Sequence, residues 1–193
     1  MLNGVKVAIL VADGFEQIEM AEPKKALKDA GAETFLVSPA TGQVQGWKHF
    51  DKADKFAVDV PLEKASAADF DALLLPGGVA NPDQLRQLPK AVAFVRAFFD
   101  SGKPVAVICH GSWTLIEANV VRGRTMTSWP SLKTDLKNAG AEWVDRDVVV
   151  DDGLVSSRKP DDIPAFNAKM VEEFEKHRSA DAPQIKSARR SAS

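Results

Sequence analysis

Cysteine is almost absent from this chain: Cys109 is the single one among 193 residues. No internal disulfide can form, and neither a dithiol motif nor a cysteine-based zinc site can be built. A lone thiol suits a reducing compartment. An excess of one charge sign is also lacking, because 25 Lys+Arg stand against 27 Asp+Glu, a net charge of −2. That balance gives no electrostatic basis for nucleic acid or an anionic membrane as partner. No apolar run is long enough to cross a bilayer. Met1–Lys6 passes directly into an apolar strand without the features of a secretory leader, so a cytoplasmic location is the expectation. With 45% apolar and 27% charged residues, the composition is that of an ordinary globular protein of one-domain size.

What the chain does contain is an alternation of buried strands and amphipathic helices. Val5–Ala12 (VKVAILVA), Thr34–Ser38, Ala72–Leu75 and the run from Pro104 to Cys109 read as strands covered on both faces. Between them Glu16–Ala30 reads as a helix closed by Gly31, with Pro23 setting a late start or a kink. Asp83–Ser101 has helical periodicity through Leu85, Leu88, Val92, Val95 and Phe99. Residues 40–59 suggest a loop with a small hairpin or edge strand. Beyond Cys109 the pattern predicts helices at Ser112–Val121 and Pro130–Asn138 and a short strand at Thr125–Ser128. A hairpin of Glu142–Val150 with Leu154–Ser157 follows, then a last helix from Asp161-Asp162 through Phe174. The expectation is one α/β domain over residues 1–178, with a mostly parallel sheet between helical layers. The polar, basic residues 179–193 read as a disordered tail.

In such a sheet the ligand cleft lies at the carboxyl ends of the strands. Three breaks fall there: Asp13-Gly14, Pro76-Gly77-Gly78 and Cys109-His110-Gly111. Cys109 at a strand-to-helix junction is placed as a nucleophile, its thiolate favoured by the free N–H groups of the following helix. Gly111 permits the sharp turn of a nucleophile elbow, although Val107 occupies the first glycine position of that motif. Backbone N–H groups of Gly78 and His110 are the candidate oxyanion donors. Successive side chains at a tight turn usually point apart, so His110 is an awkward base that needs its own orienting carboxylate. Of Glu16 and Glu19, at least one can face the cleft, where desolvation and a nearby thiolate would hold a carboxyl neutral and able to donate a proton to sulfur.

The stretches Gly14-Phe15-Glu16-Gln17-Ile18-Glu19, Asp71–Gly78 (DALLLPGG) and Val107-Ile108-Cys109-His110-Gly111 together resemble the PfpI-type intracellular proteases, in the superfamily that includes the Parkinson-disease-protein deglycases. Further matches are Val121-Arg122-Gly123-Arg124, Asn138–Trp143 (NAGAEW) and Val155–Asp162 (VSSRKPDD). The likeness runs in order from about Lys6 to His177. It implies a flavodoxin-like three-layer sandwich of the class I glutamine amidotransferase kind, assembled as a homodimer or larger homo-oligomer. It also implies Cys109 as nucleophile followed by His110, and Glu19 as the glutamate touching the thiol. An acidic residue from a neighbouring subunit completes the triad in that family, and its position falls on Asp83. The spacing here is one residue longer and the acid is the shorter aspartate. Ser112-Trp113 replaces the proline common after Cys-His-Gly, with Trp113 expected to pack beneath the cleft. Trp47 and His49 are expected at an interface rather than in catalysis.

The resemblance implies a stress-related hydrolase acting on carbonyl adducts such as methylglyoxal-glycated amines and thiols, with neither metal nor cofactor. The alternatives are an intracellular cysteine peptidase, and a redox-sensing or chaperone-like stress protein without turnover. A glutamine amidotransferase needs a distal histidine followed two residues later by a carboxylate, whereas His177 precedes Arg178-Ser179.

Overall fold

The computed structural model describes residues 1–181. In chain order the elements begin with β1 (Lys6–Leu10), β2 (Phe15–Glu16), α1 (Gln17–Asp29), β3 (Glu33–Ser38), β4 (Gln43–Lys48), β5 (Asp51–Ala57), β6 (Val60–Pro61) and β7 (Ala72–Leu75). They continue with α2 (Ala80–Leu85), α3 (Pro89–Asp100), β8 (Val105–Ile108), α4 (Ser112–Glu117), β9 (Thr125–Met126) and α5 (Lys133–Asn138). The last are β10 (Glu142–Trp143), β11 (Val148–Asp151), β12 (Leu154–Ser157) and α6 (Ile163–Asp181). Residues 182–193, most of the stretch expected to be a disordered tail, lie outside the described residues.

The main sheet runs β11-β12-β8-β7-β1-β3-β6. All its pairings are parallel except β11 with β12. β7 and β8 are buried at every residue, so their unbroken apolar sequences serve two faces. Two separate cores result. One face packs Met20 and Leu27 of α1 with Phe166, Met170 and Phe174 of α6. The other packs Leu85, Phe94, Phe98, Leu115 and Leu136 from α2 to α5. This is the flavodoxin-like three-layer α/β sandwich. A small second sheet, β2-β4-β5, stands beside it, and its β4–β5 hairpin is the feature expected within residues 40–59.

Local chemistry moved several boundaries. The helix expected over 83–101 is two helices, because Leu88 before Pro89 takes an extended conformation (φ −98°, ψ 110°) and Pro89 starts α3 afresh. The strand expected over 142–150 is divided between β10, which pairs with β9, and β11, which joins the main sheet. The helix expected to Val121 stops at Glu117, with Asn119 at φ 55° just beyond. Pro23 neither delays α1 nor ends it; it sits buried in mid-helix.

Phe98 is fully buried and meets Phe94 edge-on with ring centroids 5.3 Å apart. Phe98→Ala is expected to cost about 3–5 kcal/mol, read as a lowered urea midpoint with an unchanged slope.

Candidate active site

The three predicted loops converge at the carboxyl ends of β1, β7 and β8. β8 ends extended at Ile108 (φ −132°, ψ 147°), and the next residue, Cys109, has φ 62°. A side-chain-bearing residue in the left-handed region is strained, and such strain collects at functional turns. A single helical turn over Cys109–Gly111 then leads into α4. A Cβ on Gly111 would lie 2.8 Å from the Leu75 carbonyl oxygen, so the elbow rests directly on the end of β7. Val107, at the motif's first glycine position, is instead a fully buried core residue.

The neighbouring loops are held at similarly short range. A Cβ on Gly77 would stand 2.6 Å from both the Cys109 Cβ and Glu19 Oε2. One on Gly78, at φ 77°, would stand 2.6 Å from the Gly14 carbonyl oxygen. Only glycine allows this approach. Asn81 fastens the arrangement, accepting the Ala12 N–H at 2.7 Å and donating to the Pro76 and Gly77 carbonyls at 3.0 Å each. Sequence reasoning passed over Asn81; its signal was a polar side chain three residues after a glycine turn at a strand end.

Glu19, in the first turn of α1, is completely buried. Its Oε2 accepts the Gly77 N–H at 2.9 Å. Its Oε1 has no hydrogen-bond partner among the described residues, and the Cys109 thiol and the Gly78 N–H are the other polar groups beside the carboxyl. Burial raises the Glu19 pKa from 4.5 to about 8, against the hydrogen bonds from the thiol and Gly77. At neutral pH it is therefore a proton donor aimed at sulfur. Burial also pushes the thiol up, and a charged Glu19 would add to this, while the Gly78 and His110 N–H groups pull it down. The expected thiolate preference from the following helix is outweighed here, because α4 has only six residues and Cys109 is 6% exposed.

His110 corrects a second expectation. Its Nδ1 lies 3.1 Å from Cys109 Sγ. The left-handed turn at Cys109 brings the two adjacent side chains to one side instead of splaying them. Trp129 stacks on the imidazole at 5.7 Å and Trp113 meets it edge-on at 5.2 Å. Burial lowers the His110 pKa to about 4, so the ring is neutral at neutral pH. With its proton on Nε2, Nδ1 accepts the thiol hydrogen. Trp113 is positioned from behind by Asp135, 3.0 Å from its Nε1, and by the Arg86 guanidinium 5.7 Å from its ring.

The structure brings Cys109, His110, Glu19 and Gly78 together and leaves Asp83 apart. Asp83 is exposed on α2, in a surface groove with Arg86 and Arg96, and makes no contact with His110 within the chain. A cleft of about 290 Å³ opens over Cys109 between Phe50, Val79, Trp129 and Pro160, with Glu16 and His49 at its side. His49 and Phe50 form the turn of the β4–β5 hairpin, and the His49 N–H donates to Glu16 Oε2 at 3.0 Å. Two residues before Pro160, Arg158 pairs with Asp145, Asp147 and Asp162.

A flavodoxin-like sandwich that lifts a cysteine onto a strained elbow against a buried carboxyl defines a class of cysteine-elbow α/β proteins. Within it, residues 5–173 match the DJ-1/PfpI family, and the chain belongs to that family. It is 46% identical over 167 residues to deglycase PH1704 of Pyrococcus horikoshii, covering 86% of this chain and 98% of that protein. It is 43% identical over 174 residues to general stress protein 18 of Bacillus subtilis, covering 90% and 99% respectively. A solved two-domain protein from Anabaena variabilis, with DJ-1/ThiJ/PfpI-like and ferritin-like domains, matches with a TM-score of 0.83 at 35% identity. That match covers 89% of this chain and 48% of the longer one. Among the described residues no helix is long and apolar enough to cross a membrane.

The buried acid links the site to stability. Folded Glu19 keeps its proton to about pH 8, whereas its ordinary value is 4.5. The folded state therefore holds the extra proton between those values, and stability falls as pH rises through that window. His110 acts in the opposite sense, losing stability on acidification from 6.5 towards about 4. Between pH 6.5 and 8 only Glu19 of the two contributes. Wild type should lose about 2 kcal/mol there, and Glu19→Gln should flatten that decline in urea-unfolding curves at constant ionic strength. An equal decline in the variant would remove Glu19 as its source.

Proposed function

We propose that the protein is a cysteine-dependent hydrolase that repairs carbonyl adducts, releasing a hydroxy acid from methylglyoxal-glycated amines or thiols. The observation that carries this reading is the thiol held between a neutral carboxyl and two amide N–H groups at the floor of a small cleft. The names of the deglycase and stress-protein relatives agree with it.

The chemistry follows from the parts. His110 Nδ1 takes the thiol proton as sulfur attacks the carbinol carbon of the adduct, and the amine or thiol leaves with a proton returned to it. The enzyme then carries a hemithioacetal beside a ketone. Moving the carbinol C–H proton to the adjacent carbon, through an enediol, converts it to a thioester of lactate without change of formula. Water hydrolyses the thioester and regenerates Cys109. Anionic oxygen forms twice, and the Gly78 and His110 N–H groups stand beside the sulfur to receive it. Glu19 keeps its proton while the sulfur is anionic and so stabilises the thiolate without adding charge. A cleft of about 290 Å³ fits a three-carbon adduct and the end of its carrier side chain better than an extended peptide.

The proposal includes a second copy of the chain. The imidazole meets a thiol and two indoles but no carboxylate of its own chain. Asp83 is exposed on the helix after Gly77-Gly78 and is the acid to reach His110 of a neighbouring subunit.

Two measurements test these points. Cys109→Ala should lower turnover of a methylglyoxal-glycated thiol at least about 10³-fold, with cleavage of a fluorogenic peptide negligible in both proteins; equal rates on the adduct would end the proposal. Cys109→Ala and Asp83→Asn, each weak alone, should regain activity when unfolded and refolded as a mixture, because one hybrid site then holds both native groups. No regain, or a purely monomeric species in sedimentation, would remove Asp83 from the site.

A further inference from the structure

The cleft over Cys109 is unevenly charged. Its walls are apolar at Phe50, Val79, Trp129 and Pro160, and among the described residues no lysine or arginine lines it. Of the basic side chains next in sequence to the lining residues, Arg158 is occupied by Asp145, Asp147 and Asp162 and Lys159 by Asp161 at 3.1 Å, while Lys48 is exposed and outside the lining. Glu19 and His110 both stand uncharged at neutral pH. The remaining acid at the cleft is Glu16, only 8% exposed, anchored on β2 and tied to the hairpin by the His49 N–H. A carboxylate in an apolar cleft acts over several ångströms with little screening.

We infer that Glu16 is a specificity residue: the cleft admits carbonyl adducts carried on cationic or neutral groups, such as a glycated arginine side chain, and rejects adducts with a carboxylate or phosphate near the reacting carbon. A glycated guanidinium keeps its positive charge, so the Glu16 carboxylate can receive it while the adduct carbon lies at Cys109. An anionic carrier would be placed beside Glu16 with no arginine or lysine among the described lining residues to compensate. The inference deepens the hydrolase reading above by naming the charge class of the carrier.

The test uses the single thiol, so that charge selection is read with and without turnover. Rates of Cys109 modification are measured at neutral pH with cationic (trimethylammonioethyl), neutral (methyl) and anionic (sulfonatoethyl) methanethiosulfonates. Each rate is divided by that of the same reagent with free 2-mercaptoethanol. The fraction of thiolate cancels in the ratios. Wild type should favour the cationic over the anionic reagent about ten-fold. Glu16→Gln, whose amide oxygen can still accept the His49 N–H, should bring the ratio near one. A wild-type ratio at or below one, or an unchanged ratio in the variant, would overturn the inference. In parallel, kcat/KM is measured on the methylglyoxal hemithioacetals of 2-(trimethylammonio)ethanethiol, 2-mercaptoethanol and thioglycolate, carriers of three charges, the first unable to cyclise. Turnover without the order cation, neutral, anion would also overturn it. Absence of turnover on all three, with the reagent ratio intact, would refute the hydrolase reading and leave the selection by Glu16 standing.

Discussion

A thiol and a carboxyl group share a nearly dry space at the end of the sheet, and the rest of the site is arranged around letting no more than one negative charge form there. Glu19 has no exposed surface and Cys109 almost none. Two anions in contact at low dielectric would be prohibitive. Desolvation therefore keeps both groups protonated at neutral pH: the carboxyl holds its proton to about pH 8, and burial raises the thiol as well, while the Gly78 and His110 amides favour the sulfur anion once its proton is taken. A carboxyl normally read as an acid of pH 4 becomes a hydrogen-bond donor at neutral pH.

That pairing requires backbone to lie where side chains ordinarily would. Gly77 is in contact with both the cysteine and the glutamate, Gly78 with the loop after β1, and Gly111 with the end of β7. Each glycine removes one side chain from a junction where three chain segments meet, and Asn81 ties two of the segments together. The left-handed Cys109 is held in place by those contacts. Its strain is sustained by a surrounding core in which β7 and β8 are buried at every residue.

Around this floor the aromatic side chains do different work. Trp129 and Trp113 confine the imidazole from two directions and keep water from it, which is why His110 stays neutral where an exposed histidine would be partly charged. Neutral histidine, protonated glutamic acid and an uncompensated Glu16 leave the cleft mildly anionic. Its charge character comes from which groups are kept from ionising and not from the overall balance of the chain, whose net charge is only −2.

The three-layer fold was legible in the sequence because strands buried on both faces must be continuously apolar, as in β1, β7 and β8, and because glycine and proline punctuate their ends. The same punctuation located Gly77-Gly78 and the elbow at Cys109 and put Glu16 and Glu19 in the segment after β1, while the family resemblance singled out Glu19. Pro89 was equally visible, yet the periodicity of Leu85, Leu88 and Val92 concealed that two helices meet there. What the sequence by itself determined was the set of groups and the loops carrying them, since these follow from short-range pattern and residue type. Only the tertiary structure decided that His110 turns towards its neighbouring thiol, that Glu19 is dry enough to remain protonated, and that Asp83 faces outward. These depend on backbone rotation at one strained residue and on exclusion of water by segments distant in sequence, and neither is encoded in any local stretch.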